Sequence, residues 1–450
     1  MRARTTLLAA AALAATLAAA PAASADEPLR DVMWVGNNWA GTATVIDANT
    51  REVLKTGVDL VPDKAQELRD IRLSLPRLLL FAAVRQLPGE GHDQFVDDMF
   101  TTPDGKHLAV SRPSLGDVVW IDIEKATTTG GPSSITAEQP MDGYRTDHMA
   151  VSPDGRRLLV SDSTERQVIE FSMVDETVNG KQIKMGDRLR TFQSGETPHE
   201  SNYSADGSRI FHASIGKVYL PLDNPKQPGH DAVKGDRWFE IVDNGTFGIT
   251  RRWQMGKELA EAGHPGMSAA VRPMAVAPGE RFIYFQVSYF HGIVEFDTEA
   301  PDINHKVNYR TRGVPEPSTG AVTRLIPLPN KIPDVPFTQY VNDSAHHGLA
   351  INDAGDTLCV AGTMDDYAAL VDRASGAYQL FDKTTTGHSY GKPYWSTEGL
   401  GDTCWISLSD DDSVAVLDFD TKQEIAYLPV GDHPQRIRHG VVPESVVASW

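Results

Sequence analysis

Several short segments of this chain carry adjacent residues that could ligate a metal or move a proton. They are Asp97-Asp98, Asp147-His148, His199-Glu200, Arg272-Pro273 and His347-Gly348 with His346 before it, and further on Glu398 and Arg436. Imidazoles and carboxylates converging from separate strands are the ligand types that hold Zn, Cu, Fe or Mn. They also suit general acid–base work, since His titrates near neutrality and a carboxylate can orient it. His148, His199, His346 and His347 are therefore the candidate metal ligands. Asp98, Asp147, Glu200, Arg272, Glu398 and Arg436 are the candidate ligand-binding groups, and no residue is assigned a catalytic role. The competing explanation is structural, because polar residues near strand ends commonly satisfy backbone groups, cap hairpins or hold ordered water.

These segments can meet only if the chain brings them to one place, and its repeats do so. Seven times a short apolar run is followed by a turn, often of Pro-Asp-Gly type, then a second apolar run, a polar turn, a third strand ending in Asp, and a fourth strand. The clearest copies run from His148 to Phe171 and from Gly401 to Ile437. In Pro103-Asp104-Gly105, Pro153-Asp154-Gly155 and Ala205-Asp206-Gly207 the glycine supplies the positive φ of a tight hairpin. One four-stranded antiparallel sheet per repeat cannot bury both faces alone, so the sheets must stack. The expected fold is all-β, a seven-bladed β-propeller of four-stranded antiparallel blades. In such a ring every candidate segment opens an innermost strand, at one mouth of the central tunnel.

The first repeat lacks its innermost strand, and "HPQRIRHGVV" from His433 to Val442 is an innermost strand with no blade after it. Pairing this C-terminal strand into the N-terminal blade closes the ring and removes two sheet edges. Seven blades leave roughly 60 residues per blade against about 40 to 45 for a compact repeat. The surplus lies in inserts at Val61–Gln94, Thr127–Tyr144, Asn224–Asp236 and Pro301–Asn342, several of which crowd one mouth. Asp63 to Arg85 is the one stretch with helical character, interrupted by Pro76.

Residues 1–25 carry Arg2 and Arg4, an apolar run from Leu7 to Ala20 and small residues before Asp26, the pattern of a signal peptide cleaved after Ala25. The propeller then occupies residues 26–450, and the expected location is secreted. Loss of the leader takes the formal charge from −19 to −21. So acidic a chain repels phosphate backbones and anionic lipid heads, so nucleic acid and membrane insertion are not expected. A small molecule, a metal or an extracellular protein is the expected partner, and a monomer the expected state.

The repeat units resemble those of the YVTN-type β-propeller repeat proteins, a group of secreted or surface bacterial propellers. "VSPDGRRLLVSD" from Val151 and "VAVLDFDTKQEIAYLPVGDHPQ" from Val414 carry the resemblance. It implies the seven-bladed fold and leaves function open, because the group and its wider relatives include ligand-binding proteins, lactonases and redox enzymes. Among related propellers are the copper-cluster domain of nitrous oxide reductase and the haem domain of cytochrome cd1 nitrite reductase. This chain has no Cys-x-x-Cys-His for covalent haem and no paired-cysteine copper motif. A divalent transition metal is the cofactor that its residues leave open.

The two cysteines, Cys359 and Cys404, lie in repeats 46 residues apart and are offset by one position along equivalent strands. Neighbouring strand positions point to opposite faces, and adjacent blades stack with opposite faces in contact, so the two side chains can meet across one interface as a disulfide. Two other signals are expected to be inert. Gly387-His388-Ser389-Tyr390-Gly391 matches a nucleophile elbow without the strand-to-helix turn that motif needs. Asp365-Asp366 and Asp410-Asp411-Asp412 lack calcium-loop spacing and read as solvated turns.

The expected function is a secreted binding or scaffold protein with a ligand site at the loop-covered mouth. The alternative is a metal-dependent oxidoreductase or lyase using the His/carboxylate cluster there. A lactonase-like hydrolase is the weaker alternative.

Overall fold

A computed structural model describes residues 27–86, 89–217, 233–301 and 320–450. The leader, its cleavage site, and much of the inserts at 224–236 and 301–342 lie outside the described residues. The chain forms seven four-stranded antiparallel sheets arranged as a ring. The first blade is composite: Leu29–Asn37, Thr42–Asp47 and Val53–Asp59 are joined on the inside by Pro434–Pro443. That strand pairs antiparallel with Leu29–Asn37, from Leu29 opposite Pro443 to Asn37 opposite Pro434. The remaining innermost strands are Met99–Thr101, Thr146–Val151, Pro198–Tyr203, Val271–Val276, Leu349–Ile351 and Pro393–Gly399.

Turn chemistry enforces the hairpins. Gly105 and Gly155 sit at φ 67° and 71°, as a tight turn requires. At Gly105 a Cβ would also lie 2.7 Å from the Val441 carbonyl oxygen, so the closing strand can pass there only beside glycine. Beside them, Asp104 and Asp154 each accept a hydroxyl from the preceding Thr102 or Ser152 and a backbone N–H two residues on.

Seven hydrophobic clusters hold the ring, one at each blade interface. Met33, Val35 and Ile437 of the first blade meet Trp395, Trp405 and Val416 of the seventh, so the closing strand is packed as well as hydrogen-bonded. Deleting one such large aromatic costs about 3–5 kcal/mol. The helical insert is a pair, Lys64–Leu73 and Leu75–Gln86, docked on the first interface through Ile71, with Leu78 and Phe81 packed against the same cluster. Pro76 lies in the first turn of the second helix, where its missing N–H removes no intrahelical bond.

Cys359 and Cys404 form a disulfide across the sixth and seventh blades, with Cα atoms 6.5 Å apart. This bond suggests a location outside the reducing cytoplasm. Among the described residues no helix is long and apolar enough to cross a membrane.

Candidate functional site

The inner strands share a local irregularity that creates the site. Pairing register shifts between Thr146 and Met149, Pro198 and Ser201, Val271 and Met274, and Pro393 and Ser396. A bulge breaks the alternation of side chains and re-aims them. Consecutive residues can then serve one site: His199 packs on the His148 ring while its neighbour Glu200 hydrogen-bonds the same ring.

Counting back from the regular pairs gives two levels at the rim. Asp97, Asp147, His199, Arg272, His347, Tyr394 and Gln435 occupy one level. Asp98, His148, Glu200, Pro273, Gly348, Trp395 and Arg436 occupy the next.

Three of the four candidate histidines meet. His148, His199 and His347, each buried, bring one ring nitrogen apiece to within 4.8 Å of one another. The rings of His148 and His199 lie 3.9 Å apart, and His347 stands about 6 Å from both, packed on Tyr394 at 4.3 Å. The Nδ1 atoms of His199 and His347 are buried without a hydrogen-bond partner in the protein. All three imidazoles are held well below their ordinary pKa, first by burial and then by nearby cations, Arg436 for His148 and His347 and Arg272 for His199. They are therefore neutral at physiological pH, the form in which imidazole ligates a metal.

The surrounding groups are mostly committed to one another. Glu200 Oε2 lies 2.5 Å from His148 Nδ1, and burial pushes the Glu200 carboxyl up to about 7 against the pull of Arg438 and Arg436. Asp98 takes Arg438 in a two-pronged pair at 2.8 and 2.7 Å and accepts the backbone N–H groups of Met99 and Met149. Asp147 accepts from the Ser163 hydroxyl and from the His148 backbone. Arg272 donates to Ser288 Oγ and to the carbonyl of Asn342 in the insert, while the Asn342 amide donates to Tyr394 Oη. The Arg436 guanidinium sits over the Trp395 ring at 4.1 Å, donates to His148 Nε2, and stands 3.3 Å from Asp97 Oδ1.

Beyond this layer the tunnel widens into a cavity of about 240 Å³ lined by Glu200, Asn202, Trp395, Arg438 and, further along, Glu398. Glu200 thus faces both the histidine trio and the cavity.

Two expectations need correction. Glu398 is not at the rim: it pairs opposite Cys404, three residues beyond Trp395, because Tyr394-Trp395 rather than Glu398 hold the equivalent positions. His346 does not join the trio. One residue ahead of His347 on an extended chain, it points the other way and meets His291 and Asp365 instead. Asp365 is accordingly buried rather than a solvated turn residue, whereas Asp410 is exposed as expected. Sequence reasoning also missed Arg438, which a period of two from Arg436 would have flagged. The Gly387–Gly391 segment leads into a strand, and His388 is engaged by Glu424 at 2.5 Å.

The structure thus defines a seven-bladed propeller with a buried three-histidine cluster in its tunnel. No protein-family model matches the sequence, and no curated protein matches it significantly. Among solved structures, hydrazine synthase of Kuenenia stuttgartiensis aligns at a TM-score of 0.49 and 14% identity, covering 80% of this chain and 97% of that one. Virginiamycin B lyase from Staphylococcus aureus aligns at 0.46 and 10% identity, over 74% and 84% of the two chains. Likeness at this level carries no functional argument.

Proposed function

We propose that this chain is a secreted propeller that binds a divalent transition metal on His148, His199 and His347 and presents it to a small molecule. The observation that carries this reading is the convergence of three neutral imidazoles from three separate blades, with ring nitrogens within 4.8 Å of one another. Three nitrogen ligands leave a tetrahedral ion one open position, the arrangement of reactive rather than purely structural centres. Glu200 would orient His148 as carboxylates do behind metal-bound histidines. Ligation through His148 Nε2 requires the Arg436 guanidinium to leave that nitrogen, and Asp97 stands 3.3 Å away to receive it. The cavity beside Glu200 offers a small ligand room next to the metal. A metal held there would act as a Lewis acid on a polar substrate, as in a lyase, or as a redox centre if it is copper or iron.

A second reading keeps the site metal-free. Arg436 already donates to His148 Nε2 and has two further nitrogens without a protein partner, so the mouth would bind a small anion as a scaffold or receptor. Metal analysis of protein purified without chelator separates the two. A transition-metal equivalent that is lost in His199→Ala and competes with added anion supports the first reading, and a wild type that holds no more metal than His199→Ala yet binds anions supports the second.

A further inference from the structure

Away from the trio, at the boundary of the fifth and sixth blades, two histidines share a single carboxylate oxygen. His291 Nδ1 lies 2.5 Å and His346 Nε2 2.9 Å from Asp365 Oδ2. The three come from separate places in the chain. His291 immediately precedes the strand Gly292–Asp297, His346 precedes the inner strand Leu349–Ile351, and Asp365 turns the chain between Thr357–Gly362 and Tyr367–Asp372. His346 and Asp365 are fully enclosed, at 0% and 2% exposure, and His291 is nearly so.

We propose that His291, His346 and Asp365 form a second metal site, a two-histidine, one-carboxylate centre for a divalent cation of the zinc class. Its ligand types are those of zinc, and one atom from each already lies within 4.8 Å of the others. The groups behind the ligands are also in place. The Lys331 backbone N–H donates to Asp365 Oδ1 at 2.7 Å, leaving Oδ2 to face the imidazoles. Tyr340 Oη lies 2.9 Å from His291 Nε2, the far nitrogen of that ring. His346 Nδ1 is buried with no protein partner, so hydrogen bonding within the protein leaves this ring half satisfied.

An imidazole that ligates through one nitrogen keeps its proton on the other, so His291 ligating through Nδ1 would donate its Nε2–H to Tyr340 Oη. Ligands about 2.05 Å from one ion stand roughly 3.3 Å apart, so the cluster opens by about 1 Å or less.

This site would act on the mouth it does not belong to. Tyr340 sits two residues before Asn342, the insert residue that receives Arg272 and donates to Tyr394 beside His347. A cation at Asp365 would fasten that segment to the ring and so fix the cover of the tunnel.

The test uses the full chain carrying His199→Ala, which removes a ligand from the trio and leaves the second cluster untouched. After loading with zinc and gel filtration, this variant should retain one equivalent, and adding His346→Ala should remove it. Cobalt in place of zinc should give visible d–d absorption that vanishes with the same change. Asp365→Asn serves if the His346 variant does not fold. A folded His199→Ala protein that retains no zinc overturns the proposal, as does zinc that persists in the folded His346→Ala or Asp365→Asn background. If the trio binds nothing, wild type and His199→Ala should each hold one equivalent, so failure of the tunnel site is distinguishable.

Discussion

Glu200 reaches across the boundary between the fourth and third blades to place Oε2 2.5 Å from His148 Nδ1. The contact engages Nδ1 of His148 and leaves Nε2 free of Glu200, and it depends on a bulge that lets His199 and Glu200 serve one site. Glu200→Gln keeps the size of the side chain and removes the carboxylate. Metal affinity should fall by about 10- to 100-fold with the fold intact, as read by competition with a chromophoric chelator. Unchanged affinity would detach Glu200 from the site.

The disulfide closes a loop spanning 45 residues between neighbouring blades. Replacing both cysteines by Ser should lower stability by up to ~4 kcal/mol in the chain-entropy model. The denaturant midpoint measured without reductant should drop accordingly, and the variant should become insensitive to reductant. A midpoint equal to wild type would mean the bridge adds nothing to stability.

Ending the chain after Gly431 removes the inner strand of the first blade together with buried Ile437 and Val442. Two sheet edges become exposed, and aggregation or loss of a cooperative melt is expected. A truncated monomer melting at the wild-type temperature would show that the ring does not need this strand.

Glu398 predicts a pH effect remote from both histidine clusters. Burial, with Asp353 and Asp402 nearby, pushes its carboxyl from an ordinary 4.5 up to about 7. The folded protein therefore binds more protons than the unfolded chain between those values, and the contribution to stability is full below the lower one and is lost as pH rises through the upper. Glu398→Gln should flatten this fall and stabilise the protein above pH 7 by about 1 kcal/mol, allowing for solvent screening of a partly buried group. Melting curves at pH 5 and pH 8 check it. An identical pH slope in variant and wild type would rule it out.

The ring and most of the rim were legible because turn residues announce each hairpin, and aligning on those turns places Asp147-His148 and His199-Glu200 in equivalent positions. Tyr394-Trp395 are hidden in the sequence because neither is a ligand type and because Pro393, where the register begins to shift, obscures the count and points to Glu398 instead. His346 leaves the trio because sequence neighbours on an extended chain take opposite faces, which a list of adjacent ligand types does not reveal. Asp365 shows the same limit, since an Asp pair in a hairpin reads as solvated until the partner supplied from another blade, His291, is known.

The central claim is that His148, His199 and His347 bind one divalent transition metal ion. The most direct measurement is the metal content of wild type and His199→Ala after identical loading and gel filtration, with circular dichroism to confirm that both are folded. The account predicts one equivalent fewer in His199→Ala. Equal metal content in the two folded proteins would contradict it.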